Sequence, residues 1–495
     1  MQRTEDGVRL TLRELTSDKL RWLFRSNRDV RIHPYYDDEA GSRRNPYLVY
    51  CTGMIDAKLL NDFLYGQLNK LLSPAQGIDD GSAPIDSRHM ERIEEPGAVS
   101  AMIDAVFSGN LVLYFADEGT LFRIGMSNPP QRLPSESSTE ISIKGPRDGF
   151  TEELDTNVAL IRKRLKSTSL AVEYYELGRR TKTSLALLYM TDITNGEIVN
   201  EARLRLSKID VDGIVSGQQL ESALSDNSLS MFPLVEYMGR PDFAVESLLR
   251  GRFVVVVNGN PMVLIAPTNL MSLIKSPEDA HSPYYYVTIE RMLRMLGLVT
   301  ALFLPGFWVA VSAFNLDQIP FPLLATITVS RLGLPLSGPI DLFLMLGLFE
   351  LFREAGMRLP KAVGQTVAVV GGLIVGDAAI SAGLTGPTTL VISAVTAVST
   401  FTLVNQSLSG SVTVIRFAVL TLSSLFGMLG FFISMYLIVL YLSSLTSFGV
   451  PYMAPLSPIS FKDVGKGLFA IPWRYVKRRP RIYKTQDSTR QGDDS

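Results

Sequence analysis

The sequence predicts an α/β cytosolic N-terminal region of two subdomains followed by an α-helical polytopic membrane domain. Three observations predict it. Charges are spread through residues 1–294, but none falls between Met295 and Leu316 or across the 45 residues from Phe417 to Phe461. A bilayer needs only about 20 apolar residues per helical crossing. Between Gly364 and Ile415 the only charge is Asp377, and short β-hairpin signatures are confined to the N-terminal part. The mean hydropathy of +0.17 is therefore an average over two different proteins joined end to end.

Residues 1–45 mix Arg, Asp and Glu without an apolar core and are expected to form a flexible charged extension with no cleavable signal peptide. The first subdomain is placed at 46–140. There LVLYF at 111–115 and LFRI at 121–124 flank Asp117-Glu118-Gly119, a hairpin pattern. A Pro-, Ser- and Glu-rich stretch from Asn128 to Lys144 reads as a linker. The second subdomain, 141–290, opens with a predicted helix over 150–166, where Phe150, Leu154, Val158, Ile161 and Leu165 share a face. Acids Glu152, Glu153 and Asp155 begin it and Arg162, Lys163, Arg164 and Lys166 end it, matching the helix dipole. A strand at 185–190, helices at 197–208 and 217–225, and a hairpin at 253–265 follow. In that hairpin, Asn258-Gly259 is expected to supply the positive φ angles of a tight turn.

The transmembrane helical domain is placed at 291–446 and a basic C-terminal tail at 447–495. Candidate spans lie near 295–315, 320–352, 364–385, 387–406 and 414–442. The second is interrupted by Pro322, Arg331, Pro335 and Pro339, either as two short pieces or as a re-entrant hairpin. Arg291 and Arg294 before the first span, and Arg474, Lys477, Arg478, Arg479, Arg481 and Lys484 after the last, put both flanks on the cytoplasmic side. An even number of crossings is then required, which five candidates do not give; either one does not cross or the tail lies outside despite its charge, and four full crossings with one broken element are the favoured expectation.

Balanced charge, 48 Lys+Arg against 49 Asp+Glu, argues against a nucleic-acid partner. The single cysteine, Cys51, excludes an internal disulfide or a Cys-cluster metal site, and three scattered histidines leave no zinc site. No phosphate-binding loop, dinucleotide fingerprint, nucleophile elbow or HExxH motif is present, so neither an enzyme nor a cofactor is expected. Gly145–Phe150 is either an anion-binding loop or a tight turn before a helix.

The membrane part carries the stronger pointers. An ionised Asp377 in mid-span costs ~2.5–3.5 kcal/mol, so it faces a cavity, pore or partner, or lies hydrated near an interface. Ala368, Gly372 and Gly376 recur every four residues and suit close helix packing. Ser393, Thr396 and Thr400, with Ser407, share a face that either lines a conduction path or bonds its own backbone. Glu350, Arg353, Glu354 and Arg358 form a ladder of opposite charges, read as structural.

Taken together, several stretches resemble the A subunit of the GerA-type spore germinant receptors. They are GPRDGFTEE (145–153), NVALIRKRL (157–165), the hairpin region 251–267, SPED (276–279), LPGFWVA (304–310), REAGMRLP (353–360), GDAAISAGLTG (376–386), FGVPYMAPLSP (448–458) and RRP (478–480). The likeness runs from about Tyr47 to Pro480. It departs at Asn258, where the family commonly has Asp, at Met238-Gly239, where it has Thr-Glu, and at Ala280, where it has Tyr. The resemblance implies a subunit in the spore inner membrane, with its N-terminal region facing the core. It implies work beside a permease-like B subunit and a lipoprotein C subunit, in contact with membrane lipid. It also implies a homo-oligomer, a pentamer, forming a germinant-gated cation channel. Asp377, Ser393, Thr396 and Thr400 are then the expected ion-path or gating residues. The alternative is a secondary transporter with its own substrate site at the broken 320–352 segment.

Overall fold

The computed structural model describes residues 15–35, 46–63, 68, 90–93, 97–128, 144–358 and 375–491. The chain divides into two compact units, one of Met1–Ser228, Val235–Pro267 and Val476–Ser495, the other of Leu229–Leu234 and Thr268–Tyr475.

The first unit holds two antiparallel five-stranded sheets. In chain order the first subdomain has α1 (Ser17–Leu23), β1 (Val30–Pro34), β2 (Tyr47–Cys51), α2 (Ala57–Phe63), β3 (Met90–Arg92), α3 (Ala98–Phe107), β4 (Leu111–Phe115) and β5 (Thr120–Ile124), with sheet order β1-β2-β4-β5-β3. The predicted β4–β5 hairpin forms, with Phe115 opposite Thr120. Residues 15–35 are not an extension. Leu15 and Leu20 are in the core, and β1 pairs with β2 from Val30↔Cys51 to Pro34↔Tyr47. Charged residues in this stretch alternate with buried ones, as an edge strand allows, so composition alone reads as solvated chain.

The second subdomain runs α4 (Leu154–Arg162), β6 (Leu170–Leu177), β7 (Thr183–Met190), α5 (Gly196–Lys208), α6 (Gly217–Leu224), β8 (Glu236–Met238), α7 (Pro241–Leu249), β9 (Phe253–Val257) and β10 (Val263–Ala266), in the order β6-β7-β9-β10-β8. The helix expected from 150 starts at Leu154. Its first free N–H is capped from across the sheet, where Asn258 Oδ1 accepts from Leu154 N at 3.1 Å. The β9–β10 connection is correspondingly longer than a two-residue turn, and only Gly259 takes a positive φ, +81°.

The second unit is helical. It contains α8 (Leu270–Leu273), α9 (Tyr284–Val309, continued by a π-turn to Phe314), α10 (Phe321–Arg331), α11 (Gly338–Arg358), helical residues at 375–381, α12 (Pro387–Phe401), α13 (Gln406–Ser444), a two-stranded ribbon β11 (Thr446–Ser447) and β12 (Val450–Pro451), and α14 (Phe461–Leu468). The broken second span is thus two helices. Among the described residues two stretches, Tyr284–Phe314 and Gln406–Ser444, are long and apolar enough to cross a membrane.

α13 is not one rod. Gly427 sits at φ 60°, ψ −136°, a region closed to side chains other than glycine's. A β-carbon on Gly430 would collide with the carbonyl oxygen of Leu422, eight residues earlier. In a straight helix those residues lie about 12 Å apart, so the chain doubles back. The neighbours agree: Val419 and Ser423 lie against Gly306, and Phe314 against Gly427. Beyond the reversal Phe431 packs edge-to-face against Phe307 and Phe303, and Tyr441 meets Phe232. The first arm runs alongside α9 and the second returns.

The chain's last stretch folds with the first unit. Tyr483 is buried, Gln486 N donates to Ile193 O at 3.0 Å, Arg479 Nε donates to Leu249 O at 2.8 Å, and Arg490 grips both oxygens of Glu246 at 2.7 and 2.8 Å.

Candidate functional site

Polar side chains inside the helical unit form its most distinctive chemistry. Glu350 and Arg353 lie one turn apart on α11 and pair at 2.7 Å. Arg416 on α13 reaches Glu350 and donates to Thr400 Oγ1 of α12 at 3.0 Å. Arg353 donates to Ser409 and Thr413 at 3.3 and 3.2 Å. Ser409, Thr413 and Arg416 share one face of α13 by their i, i+4, i+7 spacing. Three helices are thereby tied through two cations and one anion. Arg416 is only 1% exposed and its Nε has no partner. A guanidinium so placed costs several kcal/mol to leave unpaired.

Of the expected ladder, Glu350 and Arg353 enter this interhelical network, whereas Glu354 and Arg358 form an exposed pair at 2.6 Å. Arg416 escaped the sequence reading because it stands directly before the uncharged stretch and looks like the edge of a span. The Ser409/Thr413 spacing ahead of it was the available signal.

Ser393, Thr396 and Thr400 are all buried on one face of α12, together with Thr389. Each hydroxyl donates to the carbonyl four residues earlier, at 2.9, 2.7 and 2.9 Å. Thr400 alone also receives Arg416. Asp377 is exposed. Beside it, a β-carbon on Gly376 would lie 3.1 Å from Leu390 Cδ1, an approach that a larger side chain would crowd. Ala368 and Gly372 lie outside the described residues. Gly297 and Gly306 of α9 are approached in the same way by Thr402 and Val419.

At the break between α10 and α11, the Arg331 guanidinium rests on Gly338 and donates to Ser312 O at 3.4 Å.

The α/β unit has a second polar centre, where its subdomains meet. Arg162 of α4 holds Asp29 through Nε and Nη2, both at 2.9 Å, with both side chains fully buried. Its other donors reach Ser167 O and Leu170 O at 2.9 and 3.2 Å, and the guanidinium lies 4.3 Å from the Phe107 ring. Asn27 adds a bond to Leu170 O at 2.6 Å. Cys51 Sγ lies 3.5 Å from Asp29, and burial, with Asp29 adding to it, pushes its thiol pKa well up. That state is an unreactive thiol. A cleft of about 500 Å³ opens next to this joint, lined by Arg31, Glu153, Asp155, Tyr174, Glu176 and Asn258. The Gly145–Phe150 loop is a clamped turn: Arg164 binds Asp148 at 2.5 Å and Phe150 N donates to Gly239 O at 2.9 Å. Among the described residues no group of three or more His, Cys, Asp or Glu side chains is placed to hold a metal.

Comparison with known proteins matches residues 18–482 to the family described as Bacillus/Clostridium GerA spore germination protein. Spore germination protein XA of Bacillus anthracis is 39% identical over 97% of both chains. Spore germination protein KA of Bacillus subtilis is 34% identical over 90% of this chain and 82% of its own. The crystal structure of the N-terminal domain of the A subunit of the Bacillus megaterium spore germinant receptor GerK3 aligns at 25% identity, covering 52% of this chain and 97% of that one, with a TM-score of 0.39.

Proposed function

The chain belongs to the Bacillus/Clostridium GerA spore germination protein family, and from that membership we propose that it is the A-type membrane subunit of a nutrient germinant receptor. In this reading it sits in the spore inner membrane with its soluble unit on the core side, and several copies surround a germinant-gated cation path. A permease-like B subunit and a lipoprotein C subunit complete the receptor.

The observation that carries the membrane part of this reading is the reversal at Gly427. The five candidate segments left an odd number of crossings, in conflict with two cytoplasmic flanks. Dividing the last segment into two arms adds one crossing, and counting each of the other four segments once, the broken 320–352 pair included, gives an even total in place of the four full crossings expected from the sequence. Packing of the tail with the soluble unit supports the same parity, since both flanks must then lie on one side.

Conduction is assigned to the space between copies rather than to the interior of one. The Ser393/Thr396/Thr400 face is filled by its own protomer, and its hydroxyls are satisfied. Asp377 is exposed, which suits a carboxylate meeting water or a neighbouring copy along the ion path. The Thr400–Arg416–Glu350 network is the gating element. Helices α11, α12 and α13 move together while it holds, because separating Arg416 from Glu350 strands a charge in a low-dielectric interior. The transporter alternative is weaker, because Arg331 occupies the break where its substrate would bind.

Potassium efflux from spores carrying Asp377→Asn tests the proposal after nutrient addition, with subunit levels checked by immunoblot. Altered efflux at normal level is expected. Wild-type efflux kinetics and germinant sensitivity would take Asp377 off the ion path.

A further inference from the structure

We propose that the first turns of α9 and the segment following α14 form a collar that docks on the surface of an anionic phospholipid bilayer. The inference rests on the membrane reading above. Tyr285 (62% exposed), Tyr286 (52%), Ile289 (56%), Phe469 (52%), Trp473 (63%) and Tyr475 (68%) are large side chains with about half or more of their surface exposed. The two segments are joined, since Ala470 N donates to Thr288 Oγ1 at 3.0 Å. The same helix turns its charges inward: Arg291 and Arg294 both donate to Asp279 at 2.8 Å. A helix start facing water would have the opposite arrangement, with arginines outside and Ile289 inside.

The exposed face continues without a break along α9 through Met292, Leu293 and Leu296, so the collar is the membrane-proximal end of the strip that faces lipid. Tyrosine and tryptophan at that level place an apolar ring toward the acyl chains and a polar edge among headgroups. Charge selects the kind of surface. Over residues 459–475 the sequence has Lys462, Lys466 and Arg474 against Asp463. Basic residues beside a span are drawn to anionic headgroups. The occupant is thus an anionic phospholipid leaflet.

The chain has three tryptophans, which allows a direct test. Full-length protein retaining only Trp473, with Trp22→Phe and Trp308→Phe, is reconstituted into vesicles of phosphatidylcholine brominated high on its acyl chains, with or without phosphatidylglycerol. A span reporter carries Phe307→Trp with all three native tryptophans replaced by phenylalanine. Protein retaining only Trp22 provides the water-exposed baseline. We expect Trp473 to lose fluorescence to bromine when phosphatidylglycerol is present and to recover most of it when it is absent, while the span reporter is quenched in both. A quenched span reporter with an unquenched Trp473 would overturn the collar and assign the aromatic face to a protein partner. Equal quenching of Trp473 with and without phosphatidylglycerol would overturn the anionic preference. If the span reporter also stays bright, the membrane reading itself fails.

Discussion

Replacing Asp29 with Asn should open the joint between the two soluble subdomains, and the protein carries its own reporter of that opening. Asp29 and Arg162 are both fully buried and doubly bonded. Removing one partner of such a pair costs about 3–5 kcal/mol, because the other charge stays buried without compensation. The low end applies here, since Arg162 keeps Ser167 O, Leu170 O and the Phe107 ring. At about 1.4 kcal/mol per tenfold, ~3 kcal/mol raises the population of the opened joint on the order of 10²-fold. Cys51 is the single cysteine and is 1% exposed, so maleimide labelling in native full-length protein proceeds through that opening and should accelerate by a similar factor. A local electrostatic effect must be separated from opening. Asp29 raises the Cys51 pKa and Arg162 lowers it, so Asp29→Asn favours thiolate and Arg162→Met disfavours it in the closed state. If the joint opens, both variants label faster. Acceleration by Asp29→Asn together with slowing by Arg162→Met would refute the argument.

The remaining expectations concern the helical unit and the tail. Gly427→Ala should destabilise the reversal in α13 by ~1–3 kcal/mol, the cost of a side chain in a glycine-only conformation, with Phe314 adding a clash at 2.9 Å; an unchanged thermal midpoint in detergent would contradict the hairpin. Glu350→Ala should lower folded protein sharply by stranding Arg416, and adding Arg416→Met should restore much of it, since apolar replacement of a whole buried pair is often neutral. If the double variant is no better than Glu350→Ala, charge stranding is not the cause. For the tail, burial alone would raise the Glu246 carboxyl, but Arg250 and Arg490 outweigh it and hold its pKa below the usual range. A carboxyl lowered on folding contributes stability above its unfolded value and loses it as pH falls through the folded one. Asp487, lowered as well, acts with the same sign. Hydrogen-exchange protection over 479–490, corrected for intrinsic rates, should therefore fall on acidification below the normal carboxylate range, and Glu246→Gln should flatten that dependence.

Much of the architecture was legible in the residues because it rests on local pattern. The β4–β5 hairpin shows in LVLYF, a glycine turn and LFRI. The division of 320–352 into two helices shows in its prolines, and the apolar helical part shows in the distribution of charge. Wherever a side chain's role depended on a distant partner, pattern gave no access to it. Arg162 reads as one more cation completing a helix dipole until Asp29, 133 residues away, is brought against it. Asn258 reads as a turn former, yet it caps a helix across the sheet, which leaves Gly259 alone with a positive φ. Residues 15–35 read as solvated chain because an edge strand buries only alternate side chains.

Composition by itself determined that this chain joins a charged α/β region to an apolar helical one, since burial selects side chains locally by their transfer free energy. It also determined the absence of the familiar catalytic motifs. Only the tertiary structure decided that the last apolar stretch is two arms, that Arg416 belongs to the interior with Glu350 and Thr400, and that the basic tail closes on the soluble unit. Each of these is a pairing between residues far apart in the chain. Such pairings are chosen by which partner relieves a buried charge or an impossible backbone angle, and that choice exists only once the helices and sheets have been packed.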